Sequence, residues 1–355
     1  CIETAGFTRQ DWWHSVGREA RMLRSNVGVI DISNFAKYSC KGPGAEKWLN
    51  SVFANKMPSE VGQSCLTPLI SVFGGIAGDA TVTKISNDEF WVVSSGISER
   101  YQQRFYNSVN LPENTSFRSR TNEMCGFNIA GPKSREILQR LSNQDLSNKN
   151  WSFMRSGMLS IAGVKCLALR ISFTGDLGWE LYCEANKQQI LYEALIEEAV
   201  NERGGPVGTR ALMSLRIEKG YGSWSREYSP EVWPHECGLD KLCKFDKYFL
   251  NKEKLEENLK TNPRESLRLI HLNEEDCNSS NADATGGEPV FKNGKGLGRI
   301  TSGAYGYTVG MSLALGYLKD TKPGDNVEVM VLGKPHRGKV LSSSPFDPEG
   351  KILRG

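Results

Sequence analysis

The sequence lacks the marks of several large classes of protein. None of its apolar runs approaches the ~20 residues that a membrane-spanning helix needs, so no membrane association is expected. It also lacks a basic tract interleaved with aromatic residues, because its 44 Lys and Arg are scattered among 41 Asp and Glu, giving a net charge of +3. No nucleic-acid partner is therefore expected.

The sequence also argues against metal and disulfide chemistry. Its four histidines are dispersed, and its nine cysteines include no Cys-x-x-Cys pair. Since several cysteines, such as Cys166 and Cys183, stand in apolar strand-like runs, we expect free thiols in a reducing compartment and no metal site. The chain opens with Cys1 and not with Met, and it shows no signal or transit-type segment, so we expect part of a longer or processed chain.

Two glycine-rich segments each place one acidic residue at the start of strand-like sequence. They are Gly74-Gly-Ile-Ala-Gly-Asp79 and Phe173-Thr-Gly-Asp-Leu-Gly-Trp-Glu180. Gly75 and Gly78 are expected to adopt backbone angles closed to other residues and to let a flat ligand come close. The backbone would then hold both acids in place. The alternative is a pair of ordinary hairpin turns with surface acids, since Gly and Asp are common turn residues.

An internal repeat connects these two segments. Gly42-Pro-Gly-Ala-Glu-Lys-Trp-Leu49 aligns with Gly131-Pro-Lys-Ser-Arg-Glu-Ile-Leu138, and each copy follows a short strand and opens a helix, where proline is favourable. A strand hairpin follows each helix and carries Asp79 in the first copy and Glu180 in the second. The sequence therefore predicts a duplicated α+β unit with pseudo-equivalent acids and a binding cleft between its halves.

The rest of the chain divides into a helical part and a strand-rich part. Arg210 lies in the first turn of a helix predicted over residues 209–219, where the helix dipole disfavours a cation. An anionic partner would explain it, and so would a plain surface arginine. Residues 252–264 are polar and predict a linker. From residue 266 onward, short strands and turns predict a small β-barrel or sandwich, with a mobile loop over residues 273–287.

Several motifs in the same order resemble the folate-binding aminomethyltransferase family, which includes the T-protein of glycine cleavage. The resemblance is strongest to the C-terminal half of dimethylglycine and sarcosine dehydrogenases, and it covers almost the whole chain. Besides the two glycine-rich segments, the motifs are Trp12-Trp-His-Ser-Val-Gly-Arg-Glu19, Ser214-Leu-Arg-Ile-Glu-Lys-Gly220, Thr301-Ser-Gly-Ala-Tyr305 and Phe346-Asp-Pro-Glu-Gly-Lys-Ile-Leu-Arg354.

The resemblance implies an α+β fold and a set of residue roles. Two folate-binding α+β halves in a cloverleaf would occupy residues 1–260, and a C-terminal antiparallel β-barrel residues 266–355. Tetrahydrofolate would lie in the central hole. Asp79 would be the catalytic proton acceptor near the reactive folate nitrogens, and such a carboxylate in a dry cleft has a raised pKa. The implied cofactor-binding residues are Glu180, which would accept hydrogen bonds from the pterin, Arg210, Thr81, Ser95 and Phe173.

The implied reaction transfers an amine-derived one-carbon unit to tetrahydrofolate and forms 5,10-methylenetetrahydrofolate. The resemblance places it in a dimethylglycine or sarcosine dehydrogenase-like enzyme of the bacterial cytoplasm or mitochondrial matrix. Because the sequence has no Gly-x-Gly-x-x-Gly fingerprint after a strand, we expect no flavin in this chain and a flavin dehydrogenase domain or subunit as its partner.

Two alternatives stay open at the level of sequence. One is a stand-alone aminomethyl- or methyltransferase, either demethylase-like or T-protein-like with a lipoyl carrier protein. The other is a non-catalytic, regulatory member of the fold. Three positions also depart from the family's pattern. Phe173 stands where Tyr is common in the dehydrogenase branch, a Tyr usual near Leu66 is absent from Leu66-Thr-Pro-Leu, and Met311 stands where Lys is common. These departures affect the expected affinity and substrate and leave the expected fold unchanged.

Overall fold

A computed structural model describes residues 6–355 of the chain. No helix within that range is long and apolar enough to cross a membrane. The helices, numbered in chain order, are α1 (Trp12–Ser25), α2 (Ala45–Val52), α3 (Glu99–Ser108), α4 (Ser134–Leu141), α5 (Gln188–Asn201), α6 (Thr209–Glu218), α7 (Pro234–Cys237), α8 (Lys252–Leu259), α9 (Glu274–Ser280) and α10 (Lys351–Arg354).

Residues 36–119 form a five-stranded sheet in the spatial order β3-β4-β5-β2-β6. Apolar residues on one face of this sheet pack against α2 and α3, around Trp48 and Tyr106. The strands, numbered in chain order, are β2 (Ala36–Lys41), β3 (Ser64–Ile70), β4 (Ile76–Ser86), β5 (Glu89–Ser94) and β6 (Ser116–Ser119).

The next part of the chain repeats this arrangement in a six-stranded sheet, in the order β11-β1-β7-β10-β9-β8. Its outer face packs against α4 and α5 through residues such as Leu138 and Leu191. The sheet comprises β1 (Gly28–Asp31), β7 (Met124–Ala130), β8 (Ser156–Ile161), β9 (Val164–Leu169), β10 (Gly178–Glu184) and β11 (Gly205–Pro206). The successions β2-α2-β3-β4-β5 and β7-α4-β8-β9-β10 share their neighbour order, which confirms the predicted duplication.

The last part of the chain closes into an antiparallel barrel in the order β12-β15-β14-β13-β16-β17. Pairing of β12 with β17 completes the ring, so the barrel leaves no open sheet edge. Its strands are β12 (Ser266–Leu272), β13 (Pro289–Lys292), β14 (Lys295–Gly306), β15 (Met311–Leu318), β16 (Asn326–Val331) and β17 (Lys334–Val340). The predicted fold class, duplicated α+β halves with a C-terminal β-barrel, is confirmed.

Two stretches that the sequence predicts as irregular contain helices. The linker prediction for residues 252–264 is wrong, because α8 buries Leu255 and its Asn258 Nδ2 donates a hydrogen bond to the carbonyl of Phe73 at 2.9 Å. The mobile-loop prediction for residues 273–287 is wrong for α9, which buries Cys277 against the barrel. Both helices are short and polar and dock through one or two buried side chains, contacts that neither sequence pattern shows.

An apolar cluster between the two sheets determines where a site can lie. Trp91 and Val93 of β5 pack there together with Ile30 of β1, with Ile32 just after that strand and with Tyr182 of β10. The rings of Trp91 and Tyr182 lie 6.2 Å apart, so the inner faces of the two sheets meet at this point. Polar side chains on these inner faces therefore point toward one shared interior.

Candidate functional site

Three predicted site residues share the inner face of the first sheet. Along β4, Ala80 and Val82 pack into the core on the helical side, so the alternation of a strand turns Asp79 and Thr81 to the opposite face. Thr81 pairs with Val93, an inner-face residue of the cluster between the sheets, and Ser95 lies two residues beyond Val93. Strand periodicity thus explains why these three polar positions face the space between the sheets.

The second sheet contributes a polar group of its own. Glu180 on β10 lies directly opposite Asn128 on β7, and both are buried. The hydroxyl of Tyr182, two residues along the same strand, donates a hydrogen bond to Glu180 Oε2 at 2.7 Å. Asn128 uses its amide nitrogen to donate to the carbonyl of Trp179, while its side-chain oxygen has no hydrogen-bond partner.

A narrow cavity opens at Glu180. Asn128 and Glu180 supply its polar groups, and its apolar walls are Ile30, Ile32, Phe35, Phe173 and Leu212. Its internal volume is ≈ 10 Å³, room for about one water molecule. A flat heterocycle with adjacent N–H donors suits a carboxylate and an unpaired amide oxygen between apolar walls. Such a ring enters only if side chains such as Phe35 and Phe173 move aside.

The two carboxylates, which we call the site acids, are both short of partners. Asp79 is partly buried, and its Oδ1 atom is inaccessible to solvent and accepts no hydrogen bond. Burial raises the pKa of Asp79 to about 6. Burial likewise raises the pKa of Glu180 to about 7, although the hydrogen bond from Tyr182 works in the opposite direction. The raised pKa expected of a carboxylate in a dry cleft is therefore found at both positions.

The remaining predicted residues do not all meet. Phe173 lines the Glu180 cavity, and its ring stacks on Tyr221 at 6.0 Å. Arg210 is exposed in the first turn of α6, with its guanidinium 4.7 Å from the ring centre of Trp12, and it is absent from the lining of that cavity. The structure thus groups Glu180 with Phe173, and groups the three first-sheet residues on a facing surface.

The glycine-rich bend before Asp79 serves a different purpose from the one predicted. Only Gly74 of the bend has a positive φ, +75°, so the prediction of unusual angles at Gly75 and Gly78 is wrong. A Cβ atom on Gly75 would lie 1.9 Å from the carbonyl oxygen of Pro230, and one on Gly78 would lie 2.2 Å from Gln102 Nε2. A side chain at Gly75 or Gly78 would therefore clash with other residues of the protein, and no ligand is needed to explain these glycines.

The prediction that the two acids are pseudo-equivalent is also wrong. β5 and β10 occupy the same place in the repeat, because each pairs with the strand that precedes the repeated Gly-Pro. Glu180 lies on β10, and the residue in its place in the first half is Trp91 on β5. Asp79 lies on β4, whose counterpart is β9. The repeat places two sheets face to face, and the two acids lie on strands that are not equivalent in the repeat.

Several motif residues that the sequence offered as family marks form a junction between α6 and the barrel. Arg216 of α6 donates from Nη1 to Glu227 Oε2 at 2.9 Å, and both side chains are almost fully buried. Glu227 Oε1 accepts hydrogen bonds from the hydroxyls of Thr301 at 2.7 Å and Ser302 at 2.5 Å, both on the barrel strand β14. This ion pair therefore joins α6 to the barrel strand β14.

A second buried cluster lies beside the first. Arg24 of α1 donates from Nη2 to Glu218 Oε2 at 2.7 Å and also contacts the carboxylate of Asp176, the other acid of the Phe173–Glu180 motif. We call Asp176, Glu218 and Glu227 the junction acids. Sequence reasoning missed their pairing, and it also missed Asn128. The sequence does mark Asn128 as a candidate, because it is the one strongly polar residue in the otherwise apolar strand β7.

No group of three or more His, Cys, Asp or Glu side chains within residues 6–355 is arranged to hold a metal ion. The eight cysteines of this range are free thiols, six of them buried. The chemistry that the described part of the chain offers at this site is therefore that of carboxylates, amides and hydroxyls between apolar walls.

Comparisons with known proteins agree with this architecture. Residues 3–247 match the family model of the GCVT N-terminal domain, and residues 268–347 match that of the glycine cleavage T-protein C-terminal barrel domain. Mitochondrial dimethylglycine dehydrogenase of Mus musculus is 32% identical over 94% of this chain and 39% of its own length. The chain thus spans about two-fifths of that relative.

A shorter relative is matched along nearly its whole length. An aminomethyltransferase of Thermotoga neapolitana is 30% identical over 97% of this chain and 93% of its own length. The crystal structure of the glycine cleavage aminomethyltransferase T from Bartonella henselae shares the fold, with a TM-score of 0.84 at 20% identity, over 94% of this chain and 90% of that one.

Proposed function

Because the chain belongs to the aminomethyltransferase family of the glycine cleavage T-protein, we propose that it binds tetrahydrofolate between its two sheets and loads it with a one-carbon unit. The carbon would arrive at the formaldehyde level from a methylated amine and leave as 5,10-methylenetetrahydrofolate. The observation that carries this proposal is the pair of site acids. Within the described residues neither forms an ion pair, and an unpaired buried carboxylate is expensive unless a ligand uses it.

Glu180 would recognise the pterin. Its Oε2 already accepts a hydrogen bond from Tyr182, so Oε1 and the unpaired side-chain oxygen of Asn128 are free to accept from adjacent N–H donors. Hydrogen bonds to a carboxylate are stronger than neutral ones, and two donors fix the orientation of a ring. Phe173 supplies an apolar wall on the same cavity.

Asp79 would move the proton. Bound tetrahydrofolate supplies the nucleophilic nitrogens, and a carboxylate on the facing sheet can accept a proton from nitrogen as the new C–N bond forms. A pKa near 6 suits a base that must be mostly unprotonated at neutral pH and still bind a proton. Thr81 and Ser95 lie on the same face and would orient the ligand through their hydroxyls. Arg210, at the start of α6, would meet an anionic part of the folate.

The one-carbon unit requires a source. We propose a flavin dehydrogenase domain or subunit, because the chain spans 39% of a dehydrogenase relative and its sequence holds no dinucleotide fingerprint. A flavin would then belong to that partner. By the same reasoning, the protein would work in the bacterial cytoplasm or the mitochondrial matrix, with residues 1–260 forming the folate domain and residues 266–355 the barrel domain.

A direct test is anaerobic calorimetric titration of the purified chain with tetrahydrofolate, followed by formation of methylenetetrahydrofolate from formaldehyde. We expect one folate per chain, no yellow flavin chromophore, and product formation faster than the spontaneous condensation. Purified protein that contains flavin and does not bind folate would refute the proposal. Folate binding without any rate above background would instead support the non-catalytic alternative.

A stand-alone aminomethyltransferase is the second candidate, favoured by the near-complete overlap with the relative from Thermotoga neapolitana. That activity would take the carbon from an aminomethyl group on a lipoyl carrier protein. Incubation with an aminomethylated lipoyl carrier and folate separates the candidates. Release of ammonia with carbon transfer supports the second, whereas transfer only from formaldehyde or a flavin dehydrogenase supports the first.

A further inference from the structure

A segment beyond the barrel returns to the second sheet and lies beside the start of β10, the strand that carries Glu180. We call residues 346–354 the clasp segment. Its Phe346 lies beneath the guanidinium of Arg24, 3.6 Å from the ring centre, and its Asp347 Oδ2 accepts a hydrogen bond from Lys219 Nζ at 3.3 Å. Helix α10 then buries Leu353, while the neighbouring Ile352 is exposed. The clasp segment is thus fixed at both ends.

Arg170 connects the clasp segment to the Glu180 strand. This residue follows β9, and its side chain is fully buried. It donates from Nη1 to the carbonyl of Gly178 at 3.2 Å and from Nη2 to the carbonyl of Leu353 at 2.9 Å. Its guanidinium also lies 4.8 Å from the ring centre of Trp179. Gly178 and Trp179 are the two residues immediately before Glu180.

The environment of Arg170 is unusual for a purely stabilising cation. No carboxylate among the described residues forms an ion pair with it, and its Nε atom is buried without a hydrogen-bond partner. Desolvation lowers the pKa of Arg170 to about 9. A buried cation held by neutral carbonyls recovers little of its desolvation penalty. What the planar guanidinium does provide is a rigid fork that fixes two carbonyls relative to each other.

We propose that Arg170 is a positioning residue for Glu180 and that the clasp segment keeps it in place, so that docking of this segment sets folate affinity. The inference rests on the proposed function, because it assumes that Glu180 contacts the pterin. A carboxylate that accepts hydrogen bonds from two donors tolerates only small displacements. Arg170 contacts Gly178 and Trp179, the two residues that precede Glu180. Without it, Gly178 loses a buried hydrogen bond and Trp179 loses its stacked partner.

The test uses two variants and matched controls in the whole chain. Arg170→Met keeps the length of the side-chain stem and removes both hydrogen bonds, and Leu353→Ala loosens the clasp segment without altering Arg170. Ile352→Ala and Arg354→Gln change exposed neighbours on the same helix. For each protein, tetrahydrofolate affinity is titrated at several pH values, and carbon uptake from formaldehyde is measured at saturating folate.

We expect Arg170→Met and Leu353→Ala to weaken folate binding about tenfold, with the rate at saturating folate changed less than about twofold. The controls should match the parent chain. The pH midpoint of folate affinity should also fall in Arg170→Met, because a displaced Glu180 becomes more solvated. The groups facing that carboxylate are Tyr182 and Asn128, and the other cavity walls are apolar. Asp79 on the facing sheet, with a pKa of about 6, also titrates in this range, so the midpoints are compared in an Asp79→Asn background.

Two results would overturn the inference. One is unchanged affinity and pH midpoint in both variants while Glu180→Gln weakens binding, which leaves the proposed function standing. The other is an equal loss of rate and affinity that follows the loss of folded protein, which makes Arg170 a stability residue only. If Glu180→Gln itself leaves binding intact, the proposed function fails, and the inference fails with it.

Discussion

Glu180 is buried like the junction acids, and Asp79 is partly buried, yet the surroundings of the site acids and the junction acids are opposite. Glu227 forms an ion pair with Arg216 and accepts two hydroxyl donors, whereas Glu180 has a single tyrosine and Asp79 Oδ1 has no partner. Paired buried charges specify how domains meet, because removing one partner leaves the other uncompensated. Unpaired buried charges reduce stability unless a ligand pairs with them. The difference predicts that neutralising a junction acid lowers the free energy of unfolding, whereas neutralising the site acid Glu180 raises it.

The largest expected effect is on the rate when Asp79 is neutralised. Asp79→Asn preserves volume and removes the proton acceptor, so carbon uptake should fall by about 10²–10⁴-fold while folate still binds. The measurement is methylenetetrahydrofolate formation after subtraction of spontaneous condensation. Asp88→Asn, at an exposed position of the following turn, is the matched control. A rate equal to that of the control would make Asp79 a structural turn residue.

At the junction the same kind of change should act on stability. Glu227→Gln leaves the buried guanidinium of Arg216 without its counter-charge, which should cost about 3–5 kcal/mol of the free energy of unfolding. Urea unfolding of this variant beside Glu231→Gln, at an exposed position, gives the comparison. A loss no larger than that of the control would show that the junction pair is dispensable.

Folate affinity should depend on pH in a direction fixed by Glu180. Its pKa is about 7 because of burial, and only the ionised form offers two strong acceptors. Affinity should therefore fall up to about tenfold per pH unit below 7 and level off above it. Titrations between about pH 5.5 and 8.5 check this, with Glu180→Gln expected to lose the change centred near pH 7 and to keep at most the change from Asp79, whose pKa is about 6. A parent profile that lacks the change near pH 7 would exclude Glu180 as the acceptor.

The architecture was predictable because it repeats and alternates in sequence. The duplicated Gly-Pro helices and the short barrel strands each leave a local pattern. The sequence predicts both acids at strand beginnings, whereas Asp79 lies within β4 and Glu180 within β10. The errors arose wherever a distant contact decides the outcome, as at Gly75 against Pro230 and at Asn258 against Phe73. Asp79 lies on β4, whereas the counterpart of Glu180 lies on β5. This difference follows from how the strands pair, which no local sequence pattern encodes.

The motif carrying Glu180 illustrates the same limit within eight residues. Its sequence offers two acids, and nothing local distinguishes them. In the structure, Asp176 turns to Arg24 at the junction, whereas Glu180 faces the cavity between the sheets. The partner Arg24 lies in α1, far away in sequence, so only the fold assigns one acid to structure and the other to the site.

The most direct test of this contrast is Glu180→Gln, measured for both unfolding and folate binding at pH 8. The folded-state pKa of Glu180 is raised from 4.5 to about 7, so its contribution to stability is present below about pH 4.5 and is lost as the pH rises through 7. At pH 8 the amide should therefore raise the free energy of unfolding by about 1–3 kcal/mol. Folate affinity should fall about ten- to a hundredfold at the same time. A variant that is destabilised like Glu227→Gln, or that binds folate as tightly as the parent chain, would contradict the account.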